Sequence, residues 1–156
     1  MLEEMIEREY KRADLEAMVE LDAECFAPPF RFSRDAMRQF AEAKNAWVWV
    51  VAKGSEIVGF CIVHRERAAM EEFGYLVTID VAKKFRGQGI GERLLTAAEE
   101  WVRGWKGSGM LLHVFTENHT ALRFYERMRY EKVESLQGFY GPGLDAVASW
   151  KEFGDT

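Results

Sequence analysis

A chain of 156 residues is long enough for one sizeable core, and residues 1–156 are expected to form a single domain. Hydrophobic residues at 48% and charged residues at 30% exclude a disordered chain. A net charge of −5 argues against nucleic acid as a partner, and no apolar run approaches the ~18 residues needed to span a bilayer.

The elements follow in chain order. Met1-Leu2-Glu3-Glu4-Met5 carries acid where a signal peptide carries base, so a cytoplasmic protein is expected. Alternation around Ile6, Arg8 and Tyr10 predicts a short strand. Asp14 can cap a helix with Leu15, Met18, Val19 and then Cys25 or Phe26 on one face, and Pro28-Pro29 ends it. Ser33 can cap a second helix with Met37, Phe40 and Ala41 inward. Trp47–Ala52 and Ile57–Val63 read as a hairpin about the turn Lys53–Glu56. Cys25 and Cys61 match no metal or redox spacing and read as buried thiols; no metal site is expected. His64 and His119 read as solvent-facing.

Tyr75–Val81 is the next strand. It runs into Arg86-Gly87-Gln88-Gly89-Ile90-Gly91, and a helix with Leu94, Leu95, Ala98, Trp101, Val102 and Trp105 follows until Gly107-Ser108-Gly109 breaks it. Met110–Thr116 is a strand and Thr120–Met128 a helix. Strands near Lys132–Leu136 and Ala146–Lys151 close the chain around a Gly/Pro-rich loop, Gln137–Asp145. The order βααβββαβαββ predicts an α/β (α+β) mixed sheet flanked by about four helices.

A strand entering a glycine turn and then a helix N-terminus makes an anion site, because the first-turn N–H groups are free and the dipole favours negative charge. Gly87, Gly89 and Gly91 allow close backbone approach, and Lys84 and Arg86 can add charge-assisted bonds. A Walker A loop is excluded, since no Gly-Lys-Ser/Thr is present. A dinucleotide fingerprint fits badly, because three strands precede this unit and the next strand carries Leu112-His113-Val114 rather than a terminal acid.

Val81–Leu95 resembles the acetyl-CoA motif of the GNAT N-acetyltransferases. The resemblance continues through Leu111-His113-Val114, Asn118 and Ala121-Leu122-Arg123-Phe124-Tyr125-Glu126, and so covers Tyr75 to Tyr130. It implies a mostly antiparallel sheet with a splayed central parallel pair. It implies acetyl-CoA as cofactor, with pyrophosphate on the backbone of Arg86, Gly87, Gln88, Gly89, Ile90 and Gly91. The pantetheine arm would pair with Ile79, Asp80 and Val81, and Asn118 would contact its amides, although an Asn before a helix also serves as a cap. Two departures stand out. Val81-Ala82-Lys83 lacks a frequent proline, and Met128-Arg129-Tyr130 lacks a glycine after the tyrosine helix.

Acetyl transfer to an amine needs a base, a polarised carbonyl and a proton for the leaving sulfur. The resemblance, which lies closest to RimI-like, archaeal and NatE-type N-terminal acetyltransferases, implies His113 as base and Tyr125 as acid. Tyr75 falls eleven residues before the motif arginine, where a second catalytic group is found. Phe26, Pro29 and Phe30 in the first interhelical loop, with Phe139 and Tyr140, would frame the acceptor. The expected acceptor is a protein N-terminal α-amine, reached by direct attack in a ternary complex. The alternatives are a small-molecule amine (a polyamine, amino sugar or amino acid) or a non-catalytic acyl-CoA-binding module.

Overall fold

The computed structural model describes residues 4–154; most of the acidic N-terminal run, residues 1–3, lies outside them. Segments rich in β-branched and aromatic residues form the strands, and segments with apolar residues three or four apart form the helices. In chain order these are β1 (Met5–Glu9), α1 (Leu15–Cys25), α2 (Arg34–Ala41), β2 (Ala46–Lys53), β3 (Glu56–Ala68), β4 (Glu71–Val81), α3 (Ile90–Gly104), β5 (Gly109–Phe115), α4 (His119–Arg127), β6 (Glu131–Gly141) and β7 (Leu144–Glu152). Short 3₁₀ turns occupy Pro28–Phe30 and Lys83–Phe85.

The seven strands make one sheet in the order β1-β2-β3-β4-β5-β7-β6. Only β4 and β5 are parallel; every other neighbouring pair is antiparallel. This is the mixed, mostly antiparallel sheet with four helices that the sequence predicts. Leu94, Leu95, Ala98 and Val102 of α3 pack on one face with Val51, Val58, Cys61 and Leu76. Leu15, Met18 and Leu21 of α1 and Met37 of α2 cover the other with Val48, Val50, Phe60 and Ile62.

The parallel pair positions everything that follows. Only Gly74 with Met110 and Tyr75 with Leu111 are in register; beyond them β4 runs on to Val81 and β5 to Phe115 without pairing to each other. The strands therefore part and leave an unsatisfied edge of β4. Gly74 allows the closed end to form, because a Cβ there would lie 2.4 Å from the Val102 side chain and 2.9 Å from the Met110 sulfur. A bulge adds to the opening: Ile62 faces Thr78 and Val63 faces Leu76, so Val77 is an extra residue on β4. The bulge turns Asp80 towards α1, while Ile79 and Val81 pack on the α3 side.

Several expectations need correction. β3 and β4 extend well past Val63 and before Tyr75, meeting at Ala69-Met70 with φ of 50° and 69°. That geometry suits a tight hairpin, but without Gly or Asn it carries no sequence signal. Gln137–Asp145 is not an open loop. β6 and β7 continue through it to a turn after Gly141, and its glycines take positive φ at a register shift between Leu136 and Gly141. Ser33 caps α2 through the Ala36 amide as expected. Asp14 does not cap α1, because its carboxylate binds Arg8 and the Lys11 amide. His64 is half-buried and its Nε2 lies 2.8 Å from the Phe40 carbonyl, so it is not simply solvent-facing. Cys61 is buried, whereas Cys25 is only partly so. Arg129 takes φ of 72° where the family's glycine would sit, and the Tyr130 amide reaches back to the Tyr125 carbonyl at 2.9 Å. The helix is terminated by a left-handed residue either way.

Candidate active site

The site begins at the glycine turn. Gly87 and Gly89 have φ of 82° and 80°, and a Cβ on either would meet nothing within 4 Å. Arg86, Gly87, Gln88 and Gly89 are exposed, while Ile90 is buried and anchors the start of α3. The turn is thus an open mouth lined by backbone, with the free amides of the first turn of α3 behind it. Gly91 differs from the other two. Its φ is not positive, and its Cβ would make ordinary contact with Phe124 at 3.5 Å.

The basic side chains do less than the sequence suggests. Lys84 is paired with Glu56 at 2.9 Å. Arg86 donates its Nε to the Val81 carbonyl at 3.1 Å, which leaves its terminal nitrogens available to an anion. Cys25 Sγ also approaches that carbonyl, at 3.4 Å.

From the mouth, Ile79, Asp80 and Val81 run along the unpaired edge of β4 towards the closed end of the opening. Tyr125 projects from α4, its ring 5.1 Å from Phe124 and 5.7 Å from Tyr130. Its hydroxyl hydrogen-bonds to no side chain or backbone group among the described residues. Burial, and then the nearby Asp80, pushes its pKa up, so the group stays a phenol. Asn118 is the cap of α4, its Oδ1 accepting from the Ala121 amide at 3.2 Å.

At the closed end stands a pair that the sequence placed on separate strands. Tyr75 on β4 and His113 on β5 are joined, hydroxyl to Nδ1, at 2.8 Å. Burial holds the His113 pKa below its usual 6.5, against the smaller pull of Glu134. Burial, with Glu66 second, pushes Tyr75 up to about 12. At neutral pH both groups are therefore uncharged.

Aromatic residues from three elements close over this pair. The Phe139 ring stacks on His113 with centroids 4.4 Å apart, and Tyr140 meets Phe139 edge-on at 4.9 Å. Phe30 lies 5.1 Å from Tyr140 and 4.7 Å from Phe115. The interhelical turn and the β6 hairpin thus touch, as the sequence suggests. Phe26 and Pro29 are not drawn in: Pro29 is exposed, and Phe26 makes no ring contact among the described residues. Sequence reasoning missed Phe115, whose ring meets Phe30 from a segment far away in the chain. It also missed Asp22 on α1, which meets Asp80 across a separation that no local pattern signals.

Comparison with known proteins agrees with this geometry. The acetyltransferase (GNAT) family model matches residues 15–130. The N-alpha-acetyltransferase RimI of Mycobacterium tuberculosis is 31% identical over 151 residues, covering 92% of this chain and 90% of the relative. An uncharacterized N-acetyltransferase of Methanocaldococcus jannaschii, MJ1530, is 28% identical over 95% of this chain and 92% of the relative. Among solved structures, Arabidopsis thaliana NAA60 in complex with a bisubstrate analogue superposes with a TM-score of 0.83 at 22% identity, over 96% of this chain and 98% of that one. The chain belongs to the acetyltransferase (GNAT) family. It is an N-acetyltransferase that uses acetyl-CoA.

Proposed function

We propose that the acceptor is the α-amino group of a protein or peptide N-terminus. The observation that carries this reading is the neutral Tyr75–His113 pair at the closed end of the β4–β5 opening, under the ring wall of Phe30, Phe139 and Tyr140. Several relatives bear the name N-alpha-acetyltransferase, including a Schizosaccharomyces pombe protein. An α-amine has a pKa of about 7.7–8.0, against about 10.4 for lysine, so a mild base can deprotonate it. A neutral histidine is such a base. With Nδ1–H donating to the Tyr75 oxygen, Nε2 is left to accept the proton, directly or through a water.

Acetyl-CoA supplies the thioester carbonyl and the leaving thiol. The residues present fit it: the open backbone at Gly87 and Gly89 suits a diphosphate, and the unpaired edge at Ile79–Val81 suits an amide-bearing arm added like a strand. Asn118, although it caps α4 through Oδ1, keeps its side-chain Nδ2 to donate to such an arm. Tyr125 holds a proton where the sulfur would leave. Attack is direct in this reading, because burial pushes Cys25 up to about 11 and Cys61 up to about 12, which disqualifies both as nucleophiles at neutral pH. Specificity for an N-terminus would follow from Phe30, Phe139 and Tyr140, whose rings stand beside the pair. A polycationic acceptor is less suited, since Glu72 is paired with Arg65 at 2.9 Å.

Acetyl transfer from labelled acetyl-CoA to free N-terminal peptides, N-blocked lysine peptides and polyamines tests the reading. Transfer is expected to the first group alone; equal or faster transfer to either of the others overturns it.

A further inference from the structure

Behind the cofactor edge of β4 lies a buried acid pair that the acetyl-transfer chemistry does not use. Asp22 on α1 and Asp80 on β4 are 0% and 1% exposed and face each other. Each spends one oxygen elsewhere. Asp22 Oδ2 accepts the Phe32 amide at 2.8 Å, and Asp80 Oδ1 accepts the Thr78 hydroxyl at 2.5 Å. The remaining oxygens, Asp22 Oδ1 and Asp80 Oδ2, have no hydrogen-bond partner among the described residues. Two buried carboxylates side by side would repel and leave both atoms unsatisfied. One proton between them satisfies both. It belongs on Asp80, because the Asp22 charge raises the Asp80 pKa whereas their contact lowers that of Asp22.

The two ends of this pair reach different parts of the site. Through the Phe32 amide, Asp22 holds the segment that presents Phe30 to Tyr140. Asp80 lies in β4 between Ile79 and Val81, on the edge assigned above to the cofactor arm. We propose that Asp22 and Asp80 are a positioning pair whose shared proton fastens the acceptor-side turn to the cofactor strand. The inference rests on the acceptor reading given above for the Phe30 segment. The charged and titratable groups facing the pair are Arg31 and Arg86, the thiols of Cys25 and Cys61, and the Tyr125 hydroxyl. Burial and the Asp22 charge raise the Asp80 pKa. The folded chain therefore keeps a proton that the unfolded chain releases near pH 3.9. Its contribution to stability is whole below that pH and is lost as pH rises through the folded-state value.

Asp80→Asn and Asp80→Ala in the full chain separate the possibilities. An asparagine can accept from Thr78 and donate to Asp22, keeping the link without a titrating proton; alanine cuts it. Backbone hydrogen exchange should show 26–32 and 76–81 exchanging at least about tenfold faster in the alanine variant and nearly unchanged in the asparagine variant. The melting temperature of the wild type should fall relative to Asp80→Asn as pH rises from about 5 to about 9. With an acceptor peptide, the alanine variant should raise KM about tenfold with a much smaller change in kcat, and asparagine should restore it. The proposal fails if asparagine behaves as alanine does, if 26–32 is indifferent to the cut, or if wild type and Asp80→Asn share one pH slope. Should the alanine variant not fold, the pH comparison decides alone. Exchange and melting need no acceptor, so their failure condemns the pair, whereas transfer to lysine would condemn the N-terminal reading.

Discussion

The cofactor side and the acceptor side of this enzyme are built by different means. The glycine turn and the free edge of β4 are backbone surfaces: Gly87 and Gly89 present amides, and two register pairs decide where β4 and β5 part. The acceptor side is made of side chains, with Phe30, Phe115, Phe139 and Tyr140 converging from segments far apart in sequence. Backbone geometry tolerates changes of side chain and fails when a Cβ is forced on it. A ring wall behaves in the opposite way.

Substitutions can break that contrast, and the largest effect belongs to the turn. Gly89→Val must place a β-branched residue at φ of 80° in the open mouth, and acetyl-CoA affinity by calorimetry should fall at least about a hundredfold. Tyr125→Phe should lower kcat by about 10²-fold while acetyl-CoA affinity changes less than about threefold, since only a proton donor is lost. His113→Ala should reduce kcat/KM about tenfold near neutral pH and less above about pH 9, where an α-amine is already neutral. The wild-type profile should bend downward below about pH 8 as the α-amine protonates, and again below 6.5, where burial places the His113 ionisation. Tyr140→Ala should raise the acceptor KM about tenfold and leave acetyl-CoA affinity unmoved; a matching fall in cofactor affinity would dissolve the contrast. The smallest effect is on stability. Arg129→Gly should raise the melting temperature by a few degrees, by relieving about 1 kcal/mol of left-handed strain at φ of 72°.

The same contrast explains what the sequence disclosed. The Arg86–Gly91 turn is local, so its strand, glycines and helix start are adjacent in the chain and legible together. Strand order and the parallel pair followed from the linked motifs between Tyr75 and Tyr130. The Gln137–Asp145 segment was read as loop because Gly and Pro mark turns and bulges alike, and only pairing with β7 distinguishes them. The β3–β4 hairpin was cut short because Ala69 and Met70 carry no turn chemistry. The Asp22–Asp80 contact and the fit of Phe30 against Phe115 depend on how α1 lies across the sheet, which no spacing encodes. Lys84 looked like a phosphate ligand because its neighbour in sequence is the turn; its neighbour in space is Glu56.

Backbone hydrogen exchange along Leu76–Val81 and Arg86–Gly91, with and without CoA, tests the central claim most directly. If the arm completes the free edge of β4 and the diphosphate sits on the turn, both stretches slow strongly on adding CoA while the ring wall at Phe30 and Tyr140 is little changed. Protection confined to some other surface, or none on β4 at saturating CoA, would contradict the account.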